Sequence, residues 1–426
     1  MVNRQFSFVT PGVNPGAAGA VHLHKWIPVD AVCEGKAELL FGSRPFTFTR
    51  NCRARETPMR KEASLACLIF LLGFDIAYAQ DPSEEIAESD LAPSVRVGND
   101  RLRFTTGVRT IVQSRNGDYW FGSQSEGLCR YDGKSFEYFG VKQRLPSKQV
   151  VSIQEDQQGT VWIGTLHGVC RFDGKRFEQV QQTRSSVAYL RLPSTVQNEW
   201  QKKEDDLWFN AGVKQGVYRY DGQQLRYLPF PNSITAVNGN TYSVTGFSRG
   251  KKGVLWIATY AGVFGFDGNN FTKINDETLG LAQGDARIHV RSILEDSKGR
   301  LWIGNNGIGV LLKQGESISN FSRQQGKLMP MEEFHANTRA GRFTANVGLQ
   351  SIFAIAEDSD GNIWFGDRDT GAWRYDGVSL VNYSVDPMLE SQMIWDIYED
   401  SEQRLLFAMA SGGVYEFKGK SFERRF

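Results

Sequence analysis

The stretch Val290-Arg-Ser-Ile-Leu-Glu-Asp-Ser-Lys-Gly-Arg-Leu-Trp-Ile-Gly304 decides how the rest of the chain is read. It opens with a short apolar strand, Val290 to Leu294, and breaks at Glu295-Asp-Ser-Lys-Gly299. An Asp-x-x-Gly sequence favours a tight reversal with positive φ at the glycine. The chain returns as a second apolar strand, Leu301-Trp-Ile-Gly304. An isolated hairpin of this kind is marginal in water, so its partners must lie elsewhere in the sequence.

They lie on both sides. The Trp strand recurs as Tyr119-Trp-Phe-Gly122, Val161-Trp-Ile-Gly164, Leu207-Trp-Phe-Asn210, Leu255-Trp-Ile-Ala258 and Ile363-Trp-Phe-Gly366, and in degenerate form as Leu405-Leu-Phe-Ala408. A glycine-initiated aromatic strand follows, as in Gly168-Val-Cys-Arg-Phe-Asp-Gly174, Gly216-Val-Tyr-Arg-Tyr-Asp-Gly222 or Gly371-Ala-Trp-Arg-Tyr-Asp-Gly377. The fifth unit has only Gly309-Val-Leu-Leu there. From Trp120 through 162, 208, 256, 302 and 364 to Leu406 the steps are 42, 46, 48, 46, 62 and 42 residues. Inside each unit the period is two, with Phe264 and Phe266, or Trp373 and Tyr375, on one face of a strand. Asp-Gly then turns the chain into an outer strand such as Lys175-Arg-Phe-Glu178. Four antiparallel strands per unit, seven times over, predict an all-β chain: a seven-bladed β-propeller of four-stranded antiparallel blades, closed without long exposed edges.

The pattern Ile-x-Glu-Asp-x-x-Gly-x-Leu-Trp-Ile-Gly followed by Gly-Val-x-Arg-Tyr-Asp-Gly resembles the two-component regulator propeller repeat, over about residues 105 to 426. In that family such propellers form the periplasmic sensor half of hybrid regulators, followed by a β domain, a membrane helix and a histidine kinase or diguanylate cyclase. This chain stops after one outer strand, so the resemblance implies sensing or binding without the signalling half.

Residues 100–426 are therefore assigned to the propeller, 80–99 to a linker, and 59–79 to a secretory signal. Arg60 and Lys61 form a basic start, Leu65 to Phe74 is apolar, and Ala77-Tyr78-Ala79 supplies small residues at cleavage spacing. Export machinery reads a nascent N-terminus, so residues 1–58 are expected to be an upstream extension with Met59 as the true start, or else disordered. The expected location is periplasmic or secreted, with no membrane insertion of the mature chain because no later stretch reaches about 18 apolar residues. Forty-nine basic and forty-eight acidic residues leave a net charge of +1. No basic block after residue 62 could neutralise a run of phosphates, which argues against nucleic acid. Cys129 and Cys170 occupy equivalent places in adjacent units and so cannot face each other to bridge.

If the first strand of each unit runs down, the Glu-Asp turns and Asp-Gly hairpins share a lower face. The loops after the Trp and outer strands share an upper one, with insertions at 181–200, 229–243 and 322–350. The upper mouth is the expected site. It offers Glu126, His167, Lys214, Tyr260, Asn305, Asn306, Arg368 and Asp369, with His335 in the longest insertion. Together they suit a small polar or glycan-like ligand; individually each reads more readily as an ordinary solvated loop residue, and only the ring as a whole carries weight. A membrane sensor protein is the alternative partner. No cofactor is expected. His167, His289 and His335 have no second His or Cys at zinc spacing, and Asp358-Ser-Asp-Gly361 lacks the further ligands of a calcium loop. Trp373 would serve as a stacking platform only if exposed. The competing class is a lyase or hydrolase: streptogramin-type lyases use similar seven-bladed rings with a His and a Glu on the upper face, and His167 with Glu126 would be the pair here. No third group orients them.

Overall fold

The computed structural model describes the backbone at 35–41 and 44–50, and residues 94–98, 101–183, 200–231, 241–281, 287–340, 348–389 and 391–426. The assigned signal segment, most of residues 1–58, and parts of all three insertions lie outside the described residues. Two compact units result, Met1–Glu84 and Glu85–Phe426. In the first, Gly35–Phe41 pairs antiparallel with Arg44–Arg50.

The second unit is a seven-bladed propeller. Blade 5 shows the pattern: inner strand Val290–Glu295, then Leu301–Asn305, Val310–Gln314 and outer strand Ser317–Asn320, paired in that order. Blades 2, 4, 6 and 7 repeat it, with inner strands Val150–Glu155, Val244–Arg249, Ile352–Glu357 and Ile394–Glu399. The glycine of Trp-x-Gly permits close approach of the next blade. A Cβ on Gly304 would sit 2.9 Å from Ile352 Cγ2, and one on Gly122 would sit 2.5 Å from Val150 Cγ1.

The repeated Glu-Asp pair has two separate jobs. The Asp folds back on its own blade: Asp156, Asp296 and Asp358 accept the indole N–H of Trp162, Trp302 and Trp364 at 2.7–2.8 Å. The Glu reaches the turn of the preceding blade. Glu155 accepts from the Arg115 N–H (2.9 Å), Glu295 from Lys251 (2.9 Å) and Glu399 from Ser359 (3.2 Å). These turns repeat because each one is a blade-to-blade clamp.

Two features depart from the expected set of seven alike, four-stranded blades. Blade 3 has no inner strand among the described residues. Its sheet consists of Leu207–Asn210, Gly216–Tyr220, Leu225–Pro229 and an outermost Gln182–Thr183 that runs parallel to Leu225 and Arg226. The sequence ahead of Trp208, Gln201-Lys-Lys-Glu-Asp-Asp206, is charged and has no period of two. Neighbouring blades supply side chains to the bare edge instead: Gln154 donates to the Trp208 carbonyl (2.7 Å), and Arg249 donates to the carbonyls of Glu204 and Asp206.

The second is at ring closure. Val95–Val97, within the segment assigned to a linker, is added antiparallel to the outer strand of blade 1 as a fifth strand, and residues 101–106 form no strand. Blade 7 takes all four strands from the C-terminal end, so no strand crosses between first and last blades. Closure is made by side chains. Gln113, standing where other blades carry the clamp Glu, accepts from the Ser401 N–H (2.9 Å). Asp396 accepts from the Ile111 N–H (2.9 Å), and Tyr119 donates to Asp400 (2.7 Å). Leu102, Phe104 and Phe426 are buried in the same junction. Blade 7 carries Leu406 where the others carry tryptophan, and the Phe426 ring fills the space at 5.0–5.1 Å from Phe121 and Tyr119.

Candidate functional site at the upper mouth

Each inner strand begins with a β-bulge. Register shifts at Val108/Thr110, Val150/Ser152, Val244/Gly246, Val290/Ser292, Ile352/Ala354 and Ile394/Asp396 leave one unpaired residue near the upper end. A bulge turns its extra side chain out of the alternating pattern. The six residues so released are Arg109, Val151, Thr245, Arg291, Phe353 and Trp395. Four of them stack in order around the ring. The Arg291 guanidinium lies 4.7 Å from the Phe353 centroid, Phe353 meets Trp395 edge-on at 5.8 Å, and Arg109 lies 4.4 Å over Trp395. Upper loops hold both ends: Arg109 donates to Gln124 (2.6 Å), and Arg291 donates to the Tyr260 hydroxyl (3.3 Å) while standing 5.0 Å over its ring. His289 abuts the Tyr260 ring at 5.1 Å. Burial, and then the charge of Arg291, push its imidazole down to about 3, so it is neutral at ordinary pH. The arc therefore spans blades 4, 5, 6, 7 and 1, while blade 2 contributes only Val151 and blade 3 has no bulge among the described residues.

The residues singled out from sequence fall into three groups. Tyr260 joins the arc. His167 and His335 are exposed on the upper loops, and Arg368 and Asp369 form a bidentate pair there (2.7 and 2.8 Å), with Arg368 also over the Phe334 ring at 5.3 Å. Phe334 is buried and belongs to the helix Met331–Ala340 in the longest insertion. The others are engaged in the scaffold. Asn305 has no accessible surface; its amide donates to the Gly309 and Ile303 carbonyls, so a ligand on the upper face does not reach it. Asn306 accepts from Ser351 (2.9 Å). Lys214 folds back onto Tyr218 and Tyr227.

Glu126 caps the segment entering blade 1, accepting the N–H groups of Thr105 (2.7 Å) and Thr106 (2.9 Å) and both hydroxyls. Burial raises its pKa, but those four bonds outweigh it and hold the carboxyl below its ordinary value. The structure thus gives Glu126 no bond to His167. Trp373 is buried, with its N–H on Thr370 (2.8 Å), and offers no stacking face to solvent. Asp358 serves its own turn, accepting the Asn362 N–H (2.8 Å) beside the Trp364 indole. Among the described residues no group of His, Cys, Asp or Glu is placed to hold a metal ion.

Arg109, Arg291 and Trp395 escaped the sequence reading, although a signal was there. The second place of the inner strand is the one that refuses to repeat, holding Arg, Val, Thr, Arg, Phe and Trp between otherwise similar neighbours. A second concavity, of about 630 Å³, lies on the lower face between blades 1 and 2, lined by Arg115, Asn116, Asp118 and Asp173 among others. Its polar groups are occupied with each other: Arg130 bonds Asp118 (2.6 Å) and Arg115 bonds the Gln157 carbonyl (3.0 Å).

Residues 144–167, 285–307 and 347–369, each running across an upper loop, an inner strand or a Trp strand of blades 2, 5 and 6, match the two-component regulator propeller family. The family match is confined to these three segments of the ring. No curated protein matches the chain. Among solved structures, the propeller architecture is shared with the extracellular domains of two hybrid two-component systems of B. thetaiotaomicron. One is 19% identical with a TM-score of 0.51, over 74% of this chain and 39% of that one. The other is 19% identical with a TM-score of 0.53, over 77% and 41%. The chain thus spans less than half the length of either. Virginiamycin B lyase from Staphylococcus aureus is 15% identical with a TM-score of 0.51, over 76% of this chain and 98% of the lyase. At these identities the likeness is one of fold. No helix among the described residues is long and apolar enough to cross a membrane.

Proposed function

We propose that this chain is an exported, non-catalytic ligand-binding propeller, a sensor unit acting with a separate signalling or transport partner. The observation that supports this most is the bulge arc: a repeated, rigid scaffold carries its one variable side chain per inner strand into the upper mouth, where recognition needs variety on a fixed frame. Arg109, Tyr260, Arg291 and Trp395 form the floor of the site, and His167, His335, Arg368 and Asp369 its rim, for a small polar ligand. The hybrid-system neighbours are described as extracellular domains, which favours export. A lyase or hydrolase on His167 and Glu126 has less behind it, because a working acid–base pair must reach the same proton and the Glu126 carboxylate is committed to Thr105 and Thr106.

Two measurements test the reading. Expressed from Met59 in a Gram-negative host, the chain should reach the periplasm with its N-terminus at Gln80; a chain that stays in the cytoplasm with residues 59–79 uncleaved would refute export by this signal. Incubated with virginiamycin B, the purified protein should leave the depsipeptide cyclic, with retention time and fragmentation unchanged as well as mass, since ring opening by elimination conserves mass and only hydrolysis adds water. Turnover that disappears in His167→Ala would reverse the assignment in favour of an enzyme.

A further inference from the structure

We infer that the outer edge of blade 6, the strand Leu380–Tyr383, is a self-association surface, on which a second copy of this chain pairs its own Leu380–Tyr383 antiparallel about a twofold axis at Val381. The inference goes beyond the reading of the upper mouth and does not rest on it.

Three observations carry it. First, this edge is open and unlike the others. No described strand pairs with the outer side of Leu380–Tyr383, and the run from Gly377 to Val385 holds no charged residue. Sheet edges ordinarily carry charge or cover, which keeps chains from pairing edge to edge. The outer strands of blades 2, 4 and 7 carry Glu178, Lys273 and Glu423. Those of blades 1 and 3 are covered by Val95–Val97 and Gln182–Thr183, so an outer edge of this ring does accept one more strand. That of blade 5 runs directly from Glu316 into the helical turn Phe321–Gln324.

Second, the edge is apolar where it meets water: Val378 is 90% exposed and Val381 38%. Third, its register is complementary to itself. Asp376 donates its N–H to the Ser379 carbonyl (3.2 Å) at the hairpin, and beyond it Tyr375 stands opposite Leu380, Arg374 opposite Val381 and Trp373 opposite Asn382. The antiparallel alternation then turns the backbone groups of Val381 and Tyr383 into the blade and those of Leu380 and Asn382 outward. With the axis at Val381, Leu380 meets Asn382 of the second copy and Asn382 meets Leu380, each pair exchanging two backbone hydrogen bonds. Val381 falls at the non-hydrogen-bonded place on the axis, where facing Cα atoms are about 4.5 Å apart and side chains touch. The two valines cover each other, and no like charges are opposed, which is the condition a strand must meet to pair with its own copy.

Sedimentation velocity of the full chain tests this, under reducing conditions because the sequence holds five cysteines. A reversible dimer should form with a dissociation constant on the order of 100 μM, the weak end expected where a single strand pair makes the interface. Val381→Lys and Val381→Glu, each alone, should weaken it about tenfold or more by placing like charges on the axis. Mixed in equal amounts, the two variants should associate again, because Lys then faces Glu. Their melting temperatures should match the parent, since the position lies on the surface. A parent chain monomeric up to about 1 mM overturns the inference. So does a dimer that both charged variants leave unchanged, or a mixture of the two that stays monomeric.

Discussion

Trp302 has no accessible surface, donates its N–H to Asp296 at 2.8 Å, and meets Phe321, Phe365 and Tyr375 edge-on at 5.1–6.1 Å. Blade 5 lacks the aromatic pair of its third strand, and Phe321, from the helical turn Phe321–Gln324 after the outer strand, makes up part of the missing surface. Trp302→Ala should cost about 3–5 kcal/mol, read as a fall in the urea midpoint, because a buried ring leaves a cavity its neighbours cannot fill. His335→Ala, on the exposed face of the helix Met331–Ala340, should stay within about 0.5 kcal/mol.

Asp367 gives a pH-dependent case at the same scale. Burial first, and the nearby Asp369 charge second, push its carboxyl up to about 6 against the pull of its loop N–H bonds. The folded state therefore holds a proton that the unfolded chain releases from about pH 4 upward. Stability falls from there to about pH 6 and then levels. Asn305 fills the equivalent place in blade 5 as a neutral amide, so Asp367→Asn keeps the acceptor without the buried charge. It should stabilise by about 1–3 kcal/mol at pH 8 and change little at pH 4. A variant less stable than the parent at pH 8 would show that the charge itself is needed.

At the scale of elements, the Glu-Asp turn is where the repeat does its structural work. Asp358 satisfies the Asn362 N–H, the Asn362 amide and the Trp364 indole together. Asp358→Ala would strand a buried indole donor and loosen the reversal, lowering stability by about 1–3 kcal/mol. If the turn is purely structural, neither EDTA nor calcium should move the melting temperature of the parent protein; a rise with calcium would mean that Asp358 and Asp360 hold the ion. The bulge is the complementary device. It costs one pair of the ladder at the top of each inner strand and frees one side chain per blade for the mouth, so scaffold and site are varied independently along a single strand.

For the whole molecule, the decisive place is the junction of blades 7 and 1. Rings that share a strand across this junction are locked by a ladder of backbone bonds. This one relies on Gln113, Asp396, Tyr119 and a cluster holding Leu102, Phe104 and Phe426. Phe426→Ala should therefore cost about 3–5 kcal/mol, and its effect should be directional. Hydrogen exchange should quicken first in Val108–Gln113 and Ile394–Glu399, before the strands of blades 4 and 5; uniform acceleration around the ring would mean that it opens as one unit. Cys129 and Cys170 lie in separate clusters as free, buried thiols, and burial raises both thiol pKa values. They add no cross-link to this closure.

Seven units, their strand order and the buried faces were determined by the sequence alone, because a period-two strand and an Asp-x-x-Gly turn are local and repeat often enough to exclude chance. Blade 3 was misjudged: the sequence reading gave it an inner strand, although the charges ahead of Trp208 spoke against one, and none occurs among the described residues. Tertiary structure decided what required two distant segments to meet. Glu126 and Asn305 looked like loop groups open to a ligand until their partners, Thr105 with Thr106 and the Gly309 carbonyl, were seen beside them. Arg109, Arg291 and Trp395 became neighbours only through closure of the ring, which brings residues 109 and 395 together. No local propensity encodes that contact: a bulge frees a side chain, and the seven-fold geometry alone determines which others it meets.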